Sequence, residues 1–331
     1  MKSRLIAVLL FGVHSVASHT ALAASGPALQ LQERIGLGVV RGRIDHLAID
    51  LRRQRLFVAE LGNDTVGVVD LENHKVVRRL ASLHEPQGVA YSAVADALYV
   101  ANARDGSVRI FQGEDLRPGG TVVLGEDADN VRGDDAAHRV WIGYGSGALA
   151  VIDTSTGRRL RNIPLHGHPE GFQLASNSAV AFVNVPGASE IAVVDRQLAR
   201  QIAAWPTGKL ASNFPMAYDE PTHRVFAIFR APPALAVFSD PSGRLMTTVA
   251  TCGDADDVFV DSAHRRVYVI CGEGFIDVFE ESGQTYRRQG RVPTAAGART
   301  GLFVPSRGQL MIAGRATATM PAAVWIYRVI E

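Results

Sequence analysis

The sequence predicts an all-β fold, a seven-bladed β-propeller of four-stranded antiparallel blades, and three observations carry that prediction. Segments rich in Val, Ile, Phe and Tyr return with a period of about 42 residues along the 331-residue chain. Each repeat divides into short apolar runs separated by Gly, Asp and Asn turns, which is the strand and turn chemistry of a propeller blade. The seventh repeat has only three such runs, while the segment ahead of the first repeat has the alternation of a fourth.

Taken in order, the chain opens with Lys2 and Arg4, an apolar stretch from Leu5 to Val13, and the small residues Ala21-Leu22-Ala23-Ala24. Residues 1–24 therefore read as a signal peptide cleaved near Ala23 or Ala24, and a periplasmic or secreted location follows. An uncleaved anchor is the alternative, but the apolar run is well short of the ~20 residues a membrane span needs. Residues 25–331 read as a single propeller domain, because no long amphipathic helix, Pro/Ser-rich linker or low-complexity tract interrupts them.

Leu29-Gln30-Leu31-Gln32-Glu33-Arg34-Ile35 is the alternating segment expected to complete the last blade. The first full unit is Ile44 to Asp50, Arg55 to Ala59, Val66 to Asp70 and Val76 to Leu80. Its second and third strands return as Ala97 to Asn102 with Ser107 to Phe111, as Arg139 to Gly143 with Ala148 to Asp153, and as Ala181 to Asn184 with Ile191 to Asp195. Arg224 to Ile228 with Leu235 to Phe238, Arg266 to Ile270 with Phe275 to Phe279, and Gln309 to Ala313 with Val324 to Tyr327 follow. Each unit leaves apolar faces that only its neighbours can cover, so the ring must close for the core to be complete. An extended solenoid is the alternative, and it has no need of a complementary N-terminal strand.

The charge balance excludes a general attraction to nucleic acid. The chain has 34 Lys plus Arg against 33 Asp plus Glu, and removing Lys2 and Arg4 leaves a formal charge of −1. Local basic clusters remain at Arg52, Arg53 and Arg55 and at Arg287, Arg288 and Arg291. Of the two cysteines, Cys252 and Cys271 flank a hairpin that turns around Asp261 to Arg266. Antiparallel pairing sets Cys271 opposite about Asp256 with Cys252 at the same end, so a disulfide is geometrically reasonable in an oxidising compartment; two buried thiols are the alternative.

The pattern in Leu98-Tyr99-Val100-Ala101-Asn102, followed by Gly106-Ser107-Val108 and a terminal Asp such as Asp153 or Asp195, resembles the YVTN/YncE-like β-propeller family. The resemblance covers the chain after its leader. It implies a secreted or periplasmic seven-bladed propeller, and it implies no single chemistry, since such propellers include binding proteins, lactonases and domains joined to redox enzymes. The chain has no Cys-x-x-Cys-His haem attachment motif.

The segments leading into the first strand of each unit are unusually polar. They read Asp45-His46, His84-Glu85-Pro86-Gln87, Asp127-Ala128-Asp129-Asn130, His166-Gly167-His168-Pro169-Glu170, Ser212-Asn213-Phe214-Pro215, Asp254-Ala255-Asp256-Asp257 and Arg299-Thr300. In a propeller the innermost strands line a central channel, so these segments are expected to converge on one funnel. Asp45, His46, Gln87, Asp129, Asn130, His168, Glu170, Asn213, Asp256, Asp257 and Arg299 are the ligand-binding candidates, with Arg299 as a carboxylate or phosphate contact. Taken one at a time, the same residues also serve as turn formers.

The expected function is an exported, monomeric binding protein whose funnel takes a small polar ligand, a cation or a protein partner. A divalent cation is the one cofactor the residue types suggest: oxygen ligands suit calcium, and His46, His84, His166 and His168 suit a transition metal. Metal-dependent propeller lactonases draw Glu, Asn and Asp ligands from different blades. By that analogy Asn130, Glu170, Asn213 and Asp257 form the metal set, and a metal-dependent lactonase or ester hydrolase is the alternative function. No nucleophile elbow, phosphate loop or dinucleotide fingerprint is present. His138, His223 and His264, together with Asp50, Asp134, Asp219 and Asp261, recur at one turn of the repeat and read as turn residues. Trp141, Trp205 and Trp325 read as core.

Overall fold

The computed structural model describes residues 27–331 and consists of seven four-stranded antiparallel sheets. The leader expected at residues 1–24 lies outside the described residues. In the first blade Leu47–Asp50, Arg55–Glu60, Thr65–Asp70 and Lys75–Leu80 pair in sequence order from the channel outward. The inner strands that follow are Pro86–Ser92, Ala128–Asp134, Phe172–Leu174, Ala211–Asp219, Ala255–Asp261 and Gly301–Val304. Each inner strand touches the next, and the seventh touches the first, so the blades form a closed ring.

The last blade joins both ends of the described chain. Its order from the channel outward is Gly301–Val304, Gln309–Gly314, Ala322–Val329 and then Leu29–Gly38. The N-terminal strand thus runs three residues beyond the expected Ile35, and Leu37 is fully buried there. The expected units otherwise stand within a residue or two, except that the first strand begins at Leu47 instead of Ile44 and that the strands from Arg224 and Phe275 run three residues past Ile228 and Phe279, to Ala231 and Ser282.

Strand alternation builds the core. Successive side chains point to opposite faces of a blade, so in Arg55–Glu60 the residues Leu56 and Val58 face the seventh blade while Phe57 and Ala59 face the second. The same division gives a separate apolar cluster at each of the seven blade interfaces. Trp141, Trp205 and Trp325 belong to these clusters and are at most 5% exposed.

Polar groups fasten neighbouring blades on the side opposite the lead-in segments. Asp135 accepts from Ser92 Oγ at 2.5 Å, Asp219 from Ser262 Oγ at 2.7 Å, and Glu220 from Ser176 Oγ. Arg53 reaches Asp96 of the next blade at 2.7 Å. The recurring turn residues behave as turn chemistry dictates: Asp50 Oδ1 accepts from the Arg52 and Arg53 backbone N–H groups, and Asp261 from that of His264. The basic clusters are held in place too. Arg53 sits between Asp50 and Asp96, while Arg288 and Arg291 both lie on the buried Asp277 at 3.2 and 2.6 Å.

Cys252 and Cys271 are joined as a disulfide with their Cα atoms 5.8 Å apart. Cys271 pairs with Ala255, one residue from the expected Asp256, because Asp256 is extruded from the ladder. The bridge ties the segment leading into the sixth inner strand to the end of the strand beside it. Replacing both cysteines by alanine is expected to lower unfolding stability by about 3 kcal/mol, the contribution of a crosslink closing a loop of this size. Denaturant unfolding of the doubly substituted protein measures it, and an unchanged midpoint would show that the ladder alone holds this end of the blade.

Candidate functional site

A bulge at the start of the inner strand is the local device that makes the site. In the second blade Gln87 and Gly88 lie opposite one residue of the neighbouring strand; in the third blade Asp129 and Asn130 do so, and in the fifth Phe214 and Pro215. In the sixth blade Asp256 is the extra residue. A bulge takes residues out of the ladder and bends the strand, so side chains that would alternate between blade faces turn into the channel mouth instead. The blades crowd here: a Cβ on Gly88 would stand 1.9 Å from the Asp129 carbonyl oxygen, so only glycine lets the second blade approach the third this closely.

The result is a polar cavity of about 250 Å³ at one end of the channel. Ten of the sequence candidates line it: Asp45, His46, Gln87, Asp129, Asn130, His168, Glu170, Asp256, Asp257 and Arg299. Asn213 does not. Its side chain is fully buried and donates to Asn184 Oδ1 and to the Glu190 carbonyl, both at 3.0 Å, because it precedes the bulge and still keeps ladder register with Phe229. Phe214 and Met216 take the place on the cavity wall that the sequence assigned to Asn213.

This placement also breaks up the expected metal set of Asn130, Glu170, Asn213 and Asp257. Asn213 faces away, and Asp257 Oδ2 accepts from the Gly301 backbone N–H at 2.8 Å. Among the described residues no three His, Cys, Asp or Glu side chains come together as a group able to hold a metal ion. The imidazoles are dispersed as well: His166 lies on Glu190 at 3.0 Å and His84 near Asp105 at 3.7 Å, both outside the cavity.

Sequence reasoning missed Arg43, Arg132 and Arg230 on the cavity wall, and it left Asp127 out of the ligand-binding candidates although its segment was expected to converge there. Arg132 is two residues beyond Asn130 on the same inner strand, a signal the strand's two-residue period contained. Arg230 is the penultimate residue of the second strand of the fifth blade, Arg224–Ala231, where nothing local marks it. Its Nε donates to the Ala255 carbonyl at 2.9 Å, and its guanidinium covers the Phe214 ring at 3.9 Å.

The charges are arranged in two halves. On one side Arg230 and Arg299 clamp Asp256 at 2.5 and 2.8 Å, and Arg299 also holds Asp254 at 2.9 Å. Arg299 therefore serves the carboxylates of its own ring, not the free anion contact expected of it. Burial nonetheless raises the Asp256 pKa, with the Asp45 charge adding to the effect and the two guanidiniums opposing it. Next to this clamp, Arg43 holds Asp45 at 2.7 Å, and His46 lies between Asp257 at 3.4 Å and Asp45 at 3.8 Å. Burial opposes the charging of His46, yet Asp257, Asp45 and Asp129 outweigh it and lift its pKa to about 10, so it is an imidazolium at neutral pH.

On the other side stand Asp129, Asn130 and Glu170. Burial, then the Glu170 and Asp45 charges, push the Asp129 pKa up to about 8; burial, then Asp256, push Glu170 up to about 7. The nearest imidazole to Asp129 is His168, whose Nε2 is 4.0 Å from Oδ2. His168 Nδ1 lies 2.6 Å from the Gly145 carbonyl, which can only accept, so that nitrogen carries the proton and Nε2 faces the carboxyl. Asn130 is 4% exposed and its side-chain oxygen has no hydrogen-bond partner among the described residues.

No known family model and no curated protein matches this chain. Solved structures do. A chain of Kuenenia stuttgartiensis hydrazine synthase is similar with a TM-score of 0.73 and 16% identity, over 83% of this chain and 96% of that one. A chain of the mitotic checkpoint complex is similar with a TM-score of 0.75 and 14% identity, over 100% of both. At these identities the likeness concerns the fold alone, and the fold is the propeller.

Proposed function

We propose that this protein is an exported binding protein that takes a small polar ligand in the funnel at one end of its channel. The observation that carries the reading is a stretch of the polar wall without internal partners: the buried Asn130 amide oxygen is unpaired, and no hydrogen bond reaches the Glu170 carboxyl among the described residues. Desolvating such groups costs about 1–3 kcal/mol each unless something satisfies them, so their retention beside a cavity favours a ligand that does. The cavity is smaller than the ~300–1,000 Å³ of drug-sized sites, which favours a small molecule over a protein side-chain cluster. Export is supported by the leader at residues 1–24 and by the disulfide, and the Tyr99-Val100-Ala101-Asn102 pattern supports kinship with YVTN/YncE-like propellers. The metal-dependent lactonase reading lacks its ligand set in this geometry.

Thermal unfolding against a panel of sugars, polyols, amino acids, dicarboxylates and amines tests the reading. At least one class is expected to raise the melting temperature saturably, and the rise is expected to disappear in Asn130→Leu, which fills the cavity wall. A panel without any saturable shift, or a shift that survives the substitution, would overturn it.

A further inference from the structure

The cavity's ion pairs leave a remainder, and the remainder has a sign. Six carboxyl groups face four guanidiniums and the His46 imidazolium. Arg43, Arg230 and Arg299 are taken up by Asp45 and Asp256, and His46 by Asp257. Arg132 spends its Nε and Nη1 on the Phe172 and Val131 carbonyls, at 3.0 and 2.9 Å, so its hydrogen bonds go to backbone and not to a carboxylate. The carboxyls left without a guanidinium or His46 at ion-pair distance are Glu170, Asp127 and Asp129, the last two having only His168, at 3.8 and 4.0 Å; next to Asp129 in the chain stands the unpartnered Asn130 oxygen.

We propose, resting on the funnel being a binding site, that its ligand is a small organic cation bearing N–H groups, a primary ammonium held by Asp129, Glu170 and Asn130. Two features narrow the class. An ammonium group supplies several donors, which suits a wall of oxygen acceptors. Among the described residues Phe214 is the one Phe, Tyr or Trp ring at the cavity, and the Arg230 guanidinium already covers it, so the cation–π surface that a quaternary ammonium needs is taken. The raised carboxyls support the same conclusion: burial and mutual repulsion favour whatever brings positive charge between them, a proton or an ammonium. Among the described residues no three His, Cys, Asp or Glu side chains form a group able to hold a metal ion.

Isothermal titration calorimetry at pH 8 and low salt, on the mature protein, separates the possibilities with four probes of similar size. These are 1,4-diaminobutane, its neutral isostere 1,4-butanediol, succinate and tetramethylammonium. The diamine is expected to bind one to one and at least tenfold more tightly than the other three, and to lose at least tenfold in Glu170→Gln and in Asn130→Ala. Thermal unfolding of both variants establishes that they remain folded. Stronger binding of the diol or succinate, lost in the same variants, would overturn the cation assignment and leave the funnel as a binding site. Diamine binding that is absent from the wild type, or unchanged in both variants, would also overturn the assignment, and the ligand panel above then decides separately whether the funnel binds anything.

Discussion

A chain that begins at Ile44, and so lacks the strand Leu29–Gly38, is expected to lose its cooperative unfolding transition and to associate instead of running as a monomer. That strand is the outer member of the seventh blade, paired with Ala322–Val329 along nearly its whole length. Ile35 and Leu37 are at most 1% exposed and pack in the cluster that joins the seventh blade to the first. Each such side chain contributes roughly 2 kcal/mol by burial, and Leu29 and Val40 add to this, so the loss is comparable to the ~5–15 kcal/mol of a typical domain. Removal also leaves Ala322–Val329 as an unpaired apolar edge, which invites pairing between molecules. Calorimetry and light scattering read the two effects. A synthetic peptide of residues 29–38 is expected to restore a single transition when supplied in excess, by adding itself to the open edge. A truncated chain that melts like the full one would show that the ring holds without this strand.

The second large effect is a stability that falls with rising pH. Asp129 has a folded pKa of about 8 against 3.8 in an unfolded chain, and Glu170 about 7 against 4.5. A raised folded pKa means that the folded state holds a proton the unfolded state has already released. The resulting stabilisation is fully present below about pH 4 and is gone once the pH passes about 8. His46 acts with the same sign over a higher window, since its pKa of about 10 exceeds the ordinary 6.5. One carboxyl displaced this far corresponds to roughly 5 kcal/mol, and because the three groups feel the same repulsions their effects do not add. The melting temperature of the free protein is therefore expected to decline steadily from pH 5 to pH 9. Asp129→Asn removes the largest contribution and is expected to reduce that decline by at least half. A variant that follows the wild-type curve would show that Asp129 titrates normally.

The ring was legible in the sequence because it is periodic. Arg55 to Ala59 and its six counterparts announce strands by composition, and the turns between them by Gly, Asp and Asn. Leu29 to Ile35 announces the closing strand because its alternation has no partner nearby. The site was legible only as a set of segments. Which residue of a segment faces the cavity depends on where the bulge falls, and a one-residue shift exchanges the two faces of a strand. That is why Asn213 proved to be a buried fastener and Phe214 a wall residue. Arg230 was out of reach for a different reason: it comes from the second strand of its blade, and it is the pairing with Ala211–Asp219 that sets it beside the bulge carrying Phe214.

The bulges also bear on how a site of this kind diverges over generations. Gln87, Asp129, Asn130, Phe214 and Asp256 stand outside the regular pairing of their strands. Exchanging such a side chain alters what the funnel holds while the hydrogen-bonded ladders and the apolar interfaces between blades keep their residues. Selection can thus act on ligand choice and on ring integrity through separate positions. Chains no more than 16% identical can then share one architecture.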